Sequence, residues 1–283
     1  MALWYAFNWA AVVVAHPLAN EVIKMTLSKI KAGIIYRGPS VLDGSPIVCI
    51  ATINSNNIKT GAMLQTWILA DDPERDPLTI NRLGLDYGIC GECPLKGTPN
   101  HTKPKGTADN RPCYVTLYHA PLNIWKTLQR GRYPTIKAET LADYGAGQTI
   151  RLGAYGDPAA VPHSIWDALL TNAKGWTGYT HQFGLIGKKA REVIAAACMV
   201  SADSLADAKR HWAEGRRTFR VITGADQVAE GEIICPATKE GGQRTTCEKC
   251  KLCQGSGTKA ANIAAVSHGN GRAHANRILA VAI

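Results

Sequence analysis

Hydrophobic positions along this chain change rhythm twice. Residues 47–53 and 63–70 are near-continuous aliphatic and β-branched runs, with Asn54-Ser55-Asn56-Asn57 and Thr60-Gly61 between them as turn material. Runs of that length bounded by turn formers predict two strands of an N-terminal hairpin or mixed sheet. Residues 71–112 are rich in Pro, Gly, Asp and Lys and predict irregular backbone; residues 122–130 then predict a helix capped by Asn123. From residue 150 onward strands and helices alternate. Strand-like segments at 150–155, 178–182, 195–201, 218–223 and 233–235 are separated by loops or by helical patterns. One such helix spans 162–173, with Trp166, Leu169 and Leu170 on one face, and another spans 204–214 and opens on Ser204.

This alternation predicts parallel βα units and an α/β fold class. Neither GxGxxG nor GxxxxGK[ST] follows a strand, which disfavours a Rossmann or P-loop domain and favours a full or partial βα barrel of the TIM type. Active sites of such barrels gather at the C-terminal strand ends. There the chain presents Tyr155-Gly156-Asp157-Pro158, Tyr179-Thr180-His181-Gln182, Ser201-Ala202-Asp203, Thr223-Gly224-Ala225-Asp226 and Cys235-Pro236. Asp157, His181 and Asp203 are the candidate catalytic groups. Asp157 and His181 leave neighbouring strands, so a carboxylate is expected beside an imidazole, where it would orient the ring and tune its basicity. Each aspartate also has a plainer role available, as a turn former or a helix cap.

Cysteine spacing adds a second kind of chemistry. Cys90-Gly91-Glu92-Cys93 followed by Cys113 forms one group, and Cys235 with Cys247, Cys250 and Cys253 forms another. CxxC turns direct two sulfurs to one point and suit soft cations. The odd total of nine cysteines in 283 residues, 46% of them hydrophobic, argues against a disulfide framework. Both groups are therefore expected to bind metal, as cysteine-rich insertions at 86–115 and 235–255. CxxCxxC with a distant fourth cysteine suits an iron–sulfur cluster; zinc, with His268 or His274 as a nitrogen ligand, is the other possibility, and the choice stays open. His101 or His119 would close the first group. Cys49 and Cys198 sit in apolar runs and read as core residues.

Charge narrows the partner. With 32 Lys and Arg against 22 Asp and Glu the chain carries +10, which favours a polyanion, DNA or RNA. Basic residues near both cysteine groups are expected to help keep the thiolates ionised. Residues 1–24 contain an apolar stretch with Trp4, Tyr5, Phe7 and Trp9. It lacks a preceding basic residue and is broken by His16-Pro17, so it reads as neither a secretory signal nor a membrane span. The expectation is an extension at 1–24 and a single α/β domain at 25–283, with no membrane partner and a reducing, cytoplasmic setting.

Several short motifs together carry a family resemblance. Asn57-Ile58-Lys59-Thr60-Gly61, Cys90-Gly91-Glu92-Cys93-Pro94-Leu95, Pro112-Cys113-Tyr114-Val115, residues 151–158, residues 178–182 and residues 247–253 resemble the gene-88-type phage proteins, spread over most of 50–255. That family looks like a radical S-adenosylmethionine barrel, and the resemblance implies a phage- or prophage-encoded protein acting in a host cell. In place of the CxxxCxxC of those enzymes the chain has CxxC and a third cysteine twenty positions on, which argues against S-adenosylmethionine cleavage. A second similarity is to tRNA-guanine transglycosylases and related phage enzymes. It implies zinc on Cys247, Cys250, Cys253 and His268, with Asp157 and Asp203 as catalytic aspartates. The resulting expectation is a metalloenzyme that modifies nucleic-acid bases; the alternative is a non-catalytic nucleic-acid binder with two structural metal sites.

Overall fold

A computed structural model describes Leu27 and residues 29–54, 57–267 and 272–281. The 1–24 extension and His268 lie outside the described residues, as does the side chain of His274. The chain is α/β, with two five-stranded sheets. In the first, β1 (Ala32–Pro39), β2 (Pro46–Thr52), β3 (Leu64–Ala70), β4 (Thr149–Tyr155) and β5 (Gly175–Thr177) lie in chain order; β1 to β3 are antiparallel and β3 to β5 parallel. The second is parallel throughout, in the order β6 (Tyr179–Thr180), β7 (Met199–Ala202), β8 (Thr218–Ile222), β10 (Asn262–Val266), β9 (Glu232–Ile234). Among the described residues no ladder joins β1 to β9, so the pairing does not close into a ring.

Gly178 links the two sheets. β5 pairs with β4 and β6 with β7, so one strand changes partner at this residue. A Cβ here would stand 2.6 Å from the Cys198 sulfur, so only glycine allows this approach. The Gly178 N–H donates to the Cys253 carbonyl at 3.2 Å, and its carbonyl accepts from the Met199 N–H at 2.9 Å.

The main core lies on the first sheet. Ile47 to Ala51 of β2 are all fully buried, as expected of a strand covered on both faces. Short helices α1 (Pro77–Arg82) and α2 (Tyr87–Cys90) and the longer α3 (Ala120–Gln129) pack on β3. Helix α4 (Leu141–Gly145) packs on α5 (His163–Leu170), which in turn packs on α6 (Lys188–Ala197). Trp166 of α5 is fully buried and donates its indole N–H to the Pro158 carbonyl at 2.8 Å, fixing the loop after β4. Helix α7 (Leu205–Ala213) covers β7 and β8, with Ser204 as its cap, accepting from the Asp207 N–H at 3.1 Å.

Three expected elements differ. Residues 71–112 are not irregular throughout but carry α1, capped by Asp76, and α2. Residues 195–197 end helix α6 and do not begin a strand: Cys198 N–H still bonds to Ile194 O, and the alanines sit in the last helical turn. Helix α3 starts three residues before Asn123, with Pro121 in its first turn, and Asn123 is inside it. The second sheet is tied together by a buried ion pair on the face away from the cavity described below. Arg220 of β8 reaches over Ala264 of β10 to Glu232 of β9, with Nε–Oε1 at 2.9 Å and Nη2–Oε2 at 2.5 Å. The smallness of Ala264 leaves room for that bridge. No helix among the described residues is long and apolar enough to cross a membrane.

Candidate metal centres beside a central cavity

The strands from β3 onward are parallel, so their C-terminal ends, and the residues that follow them, leave on one side. Asp157, His181 and Asp203 are three of these. Asp157 turns inward. It is buried; its Oδ1 accepts from the Ala159 N–H at 2.9 Å and its Oδ2 from the His181 backbone N–H at 2.8 Å. No hydrogen bond or ion pair joins Asp157 to the imidazole: its carboxylate is engaged by the Ala159 and His181 backbone N–H groups and by the Thr180 side chain, and the His181 charge acts on it only through space. The carboxylate at the ring is Asp203, whose Oδ1 lies 3.3 Å from His181 Nε2. The His181 side chain is 19% exposed and that of Asp203 42%, so the carboxylate is the wetter of the two. Burial opposes charging His181, but Cys93 and Asp203 outweigh it and hold the imidazole well above its ordinary range.

The first cysteine group is set against this strand end. Cys90 closes helix α2, and Gly91 follows with φ +51°. Gln182, fully buried, spans the loop: its Nε2 donates to the Cys90 carbonyl at 2.8 Å and its Oε1 accepts from the Glu92 N–H at 2.9 Å. A Cβ on Gly91 would fall 2.2 Å from that Oε1, so glycine is required both by the backbone angle and by the amide beside it. Asp157 N–H donates to Ile89 O at 2.7 Å, and Cys113 N–H to Leu95 O at 3.0 Å, bringing the third cysteine in. Cys93 acts electrostatically on His181, and the charges of Cys93 and His181 both act on Cys113. His101 and His119, the expected fourth ligands, are both exposed. Gln182 was missed as a site residue; the glycine inside CGEC was the one sequence sign of a close neighbour.

The second group is held by both sheets. Helix α8 (Cys247–Cys250) docks on the β2–β3 turn, where Cys247 N–H donates to Lys59 O and Glu248 N–H to Thr60 O, both at 3.0 Å. Glu248 Oε2 accepts from the Ala62 N–H at 3.1 Å. Lys251 ends α8 in the left-handed region at φ +53° and turns the chain back toward Cys253. Cys253 accepts a hydrogen bond from Tyr179, and Cys235, Cys247 and Cys250 all act electrostatically on it. Arg217 fixes the return to β10 by donating to the carbonyls of Gly255, Ala260 and Ala261.

Cysteine stands here where aliphatic side chains would otherwise be. The apolar cluster on this face of the second sheet consists of Met199, Cys235, Ala237, Cys253, Ile263 and Ala265. So thin a core fits a region whose folding a bound metal supports. Arginine chemistry agrees at both groups. Arg111 stands by the first and Arg151 by the second, and the Nε of each is buried without an acceptor. A metal–thiolate centre is anionic and would satisfy such donors. The donor sets thus suit zinc or an iron–sulfur cluster. As the side chains stand, no three donors among the described residues are arranged to hold an ion, so binding requires the thiols to close on it. Without a metal, burial pushes Cys90, Cys113 and Cys247 up and Cys253 up to about 12; Arg111 acts against this at Cys90 and Cys113, Arg151 and Lys59 at Cys247, and a Tyr179 hydrogen bond at Cys253.

A cavity of about 320 Å³ lies along this face. Cys235, Cys247, Cys250 and Cys253 form part of its wall, with Arg151, Tyr179, His181, Ser201, Asp203 and Phe219. The rings of Tyr179 and Phe219 lie 4.5 Å apart between centroids. Arg151 hydrogen-bonds the Tyr114 hydroxyl. Asp157 is absent from the wall. Family models, curated proteins and solved structures yield no match to this chain.

Proposed function

We propose that the chain is a metalloenzyme that admits a nucleic-acid base to this cavity and modifies it. The observation that carries the reading is that four cysteines of one group share a wall with Arg151, Tyr179, His181, Ser201 and Asp203. A mostly apolar pocket with a few converging polar groups is the usual form of a small-ligand site, and the volume lies at the lower end of that range. Enzymes acting on bases take them out of the stack into such pockets, between aromatic side chains. Tyr179 and Phe219, packed on each other at 4.5 Å, provide one aromatic wall for a base to lie against, with Ser201 and Asp203 the groups for a base edge and Arg151 a cation for phosphate. The +10 charge adds affinity for the polyanion. The open pairing of the strands supports a partial βα barrel whose C-terminal strand ends carry the site.

A second reading has a specific observation behind it. The second group braces the β2–β3 turn against the β5–β6 junction, as a structural zinc site does, which favours a non-catalytic nucleic-acid binder. One experiment separates the two. The protein is purified anaerobically, its metal measured and its visible spectrum recorded, and it is incubated with DNA and RNA before nucleoside mass spectrometry. A changed nucleoside supports the enzyme. Binding that weakens steeply with salt but leaves every nucleoside intact supports the binder. No binding at low salt refutes both.

A further inference from the structure

We infer that His181 is the fourth ligand of a metal centre formed with Cys90, Cys93 and Cys113, and that Asp203 is the outer carboxylate that holds its ring. The inference rests on the reading that the first cysteine group binds metal, and goes beyond it by assigning the ligand that the sequence lacks. Backbone geometry brings the pieces together without reference to charge. Gln182 is bonded to the peptide on either side of Gly91, and Asp157 ties the His181 N–H to the segment entering Cys90. His181 lies between these two clamps. Its Nε2 is 3.3 Å from Asp203, and its backbone is held against the CxxC turn by both clamps.

This is the arrangement that a metal-bound histidine needs. Nε2 is turned to Asp203, which accepts its N–H, fixes the tautomer and raises ligand basicity, and this leaves Nδ1 as the nitrogen for the metal. On binding, the thiols release their protons to solvent and the metal takes their place. Three sulfurs and one nitrogen complete a tetrahedral shell. The first centre is then coordinatively closed and structural, and chemistry in the cavity belongs to the residues around the second group.

The test uses the full chain loaded with zinc, comparing Cys113→Ser, His181→Ala, His181→Cys and Asp203→Asn for bound zinc and competition with a chromophoric chelator. The expected result is that His181→Ala releases the same equivalent of zinc as Cys113→Ser, that His181→Cys retains it, and that Asp203→Asn weakens it by about 10–100-fold. A merely structural histidine is not rescued by cysteine. If Cys113→Ser loses zinc while His181→Ala keeps it, the assignment of His181 is overturned and the metal site stands. If Cys113→Ser keeps all its zinc, both fail. Should the variants not fold, X-ray absorption of the zinc-loaded chain carrying His268→Ala and His274→Ala decides: a mixed sulfur–nitrogen shell supports the assignment, and an all-sulfur shell overturns it.

Discussion

Replacing Gln182 with alanine tests how the first cysteine loop is held. The side chain is fully buried and makes two hydrogen bonds, to the Cys90 carbonyl at 2.8 Å and from the Glu92 N–H at 2.9 Å. Each such bond contributes about 0.5–1.5 kcal/mol net. Loss of one buried methylene removes about 0.8 kcal/mol more. Both bonds are partly buried, so the Glu92 N–H and the Cys90 carbonyl are each left incompletely satisfied. The expected loss is therefore about 2–4 kcal/mol, a large part of the stability of an ordinary domain. With a urea slope of roughly 3 kcal/mol/M the midpoint falls by about 1 M. Equilibrium urea unfolding of metal-loaded parent and variant measures this, and limited proteolysis reports whether residues 86–113 open before the rest. Gln182→Glu is the companion: it keeps the volume but sets a carboxylate against the Cys90 carbonyl, and is expected to be at least as damaging. An unchanged midpoint and an uncut loop in Gln182→Ala would refute the argument that this amide positions the CxxC turn.

Three further outcomes are expected. Arg220→Ala leaves Glu232, whose side chain is fully buried, without its partner and destabilises the chain by about 3–5 kcal/mol, read from urea unfolding; a change under 1 kcal/mol would contradict the role given to this pair. Cys250→Ser removes a sulfur from the second group and is expected to lose its metal and open residues 235–253 to protease, whereas metal content and protease resistance equal to the parent's would refute a site there. Burial raises Asp72, but hydrogen bonds from the Arg75 and Glu74 backbones and the Arg75 side chain outweigh it, so its carboxyl lies below the usual range. Its stabilisation is thus present above the unfolded value of roughly 3.9 and lost as pH falls through the folded one; the stability gap between parent and Asp72→Asn should be constant at neutral pH and close in acid, and a gap independent of pH would count against it.

Legibility varied with the length and bulk of the segments. The runs at 47–53 and 63–70 were readable as strands because both faces of β2 and most of β3 are buried and need apolar residues throughout. β10, Asn262-Ile263-Ala264-Ala265-Val266, is hard to read because its alanines make a weak pattern; Ala264 lies beside Arg220 on the ion-pair face and Ala265 faces the cavity. β5 was invisible for a different reason: three residues carry no period. The apolar stretch at 195–201 held the end of a helix and the start of a strand, and composition alone does not divide them.

The amino-acid sequence by itself determined the α/β class, the two cysteine groups and the polar residues at the strand exits, because these depend on local period and on residue type. It also singled out His181. What it left open was decided by tertiary structure: which carboxylate meets that imidazole, which buried amide clamps the CxxC turn, and that the second cysteine group lines a cavity. Asp157 and Asp203 both follow parallel strands and look alike in sequence, yet one spends its oxygens on backbone N–H groups while the other meets the ring. Such choices depend on which donors come within about 3 Å once distant segments pack, a separation no spacing along the chain encodes.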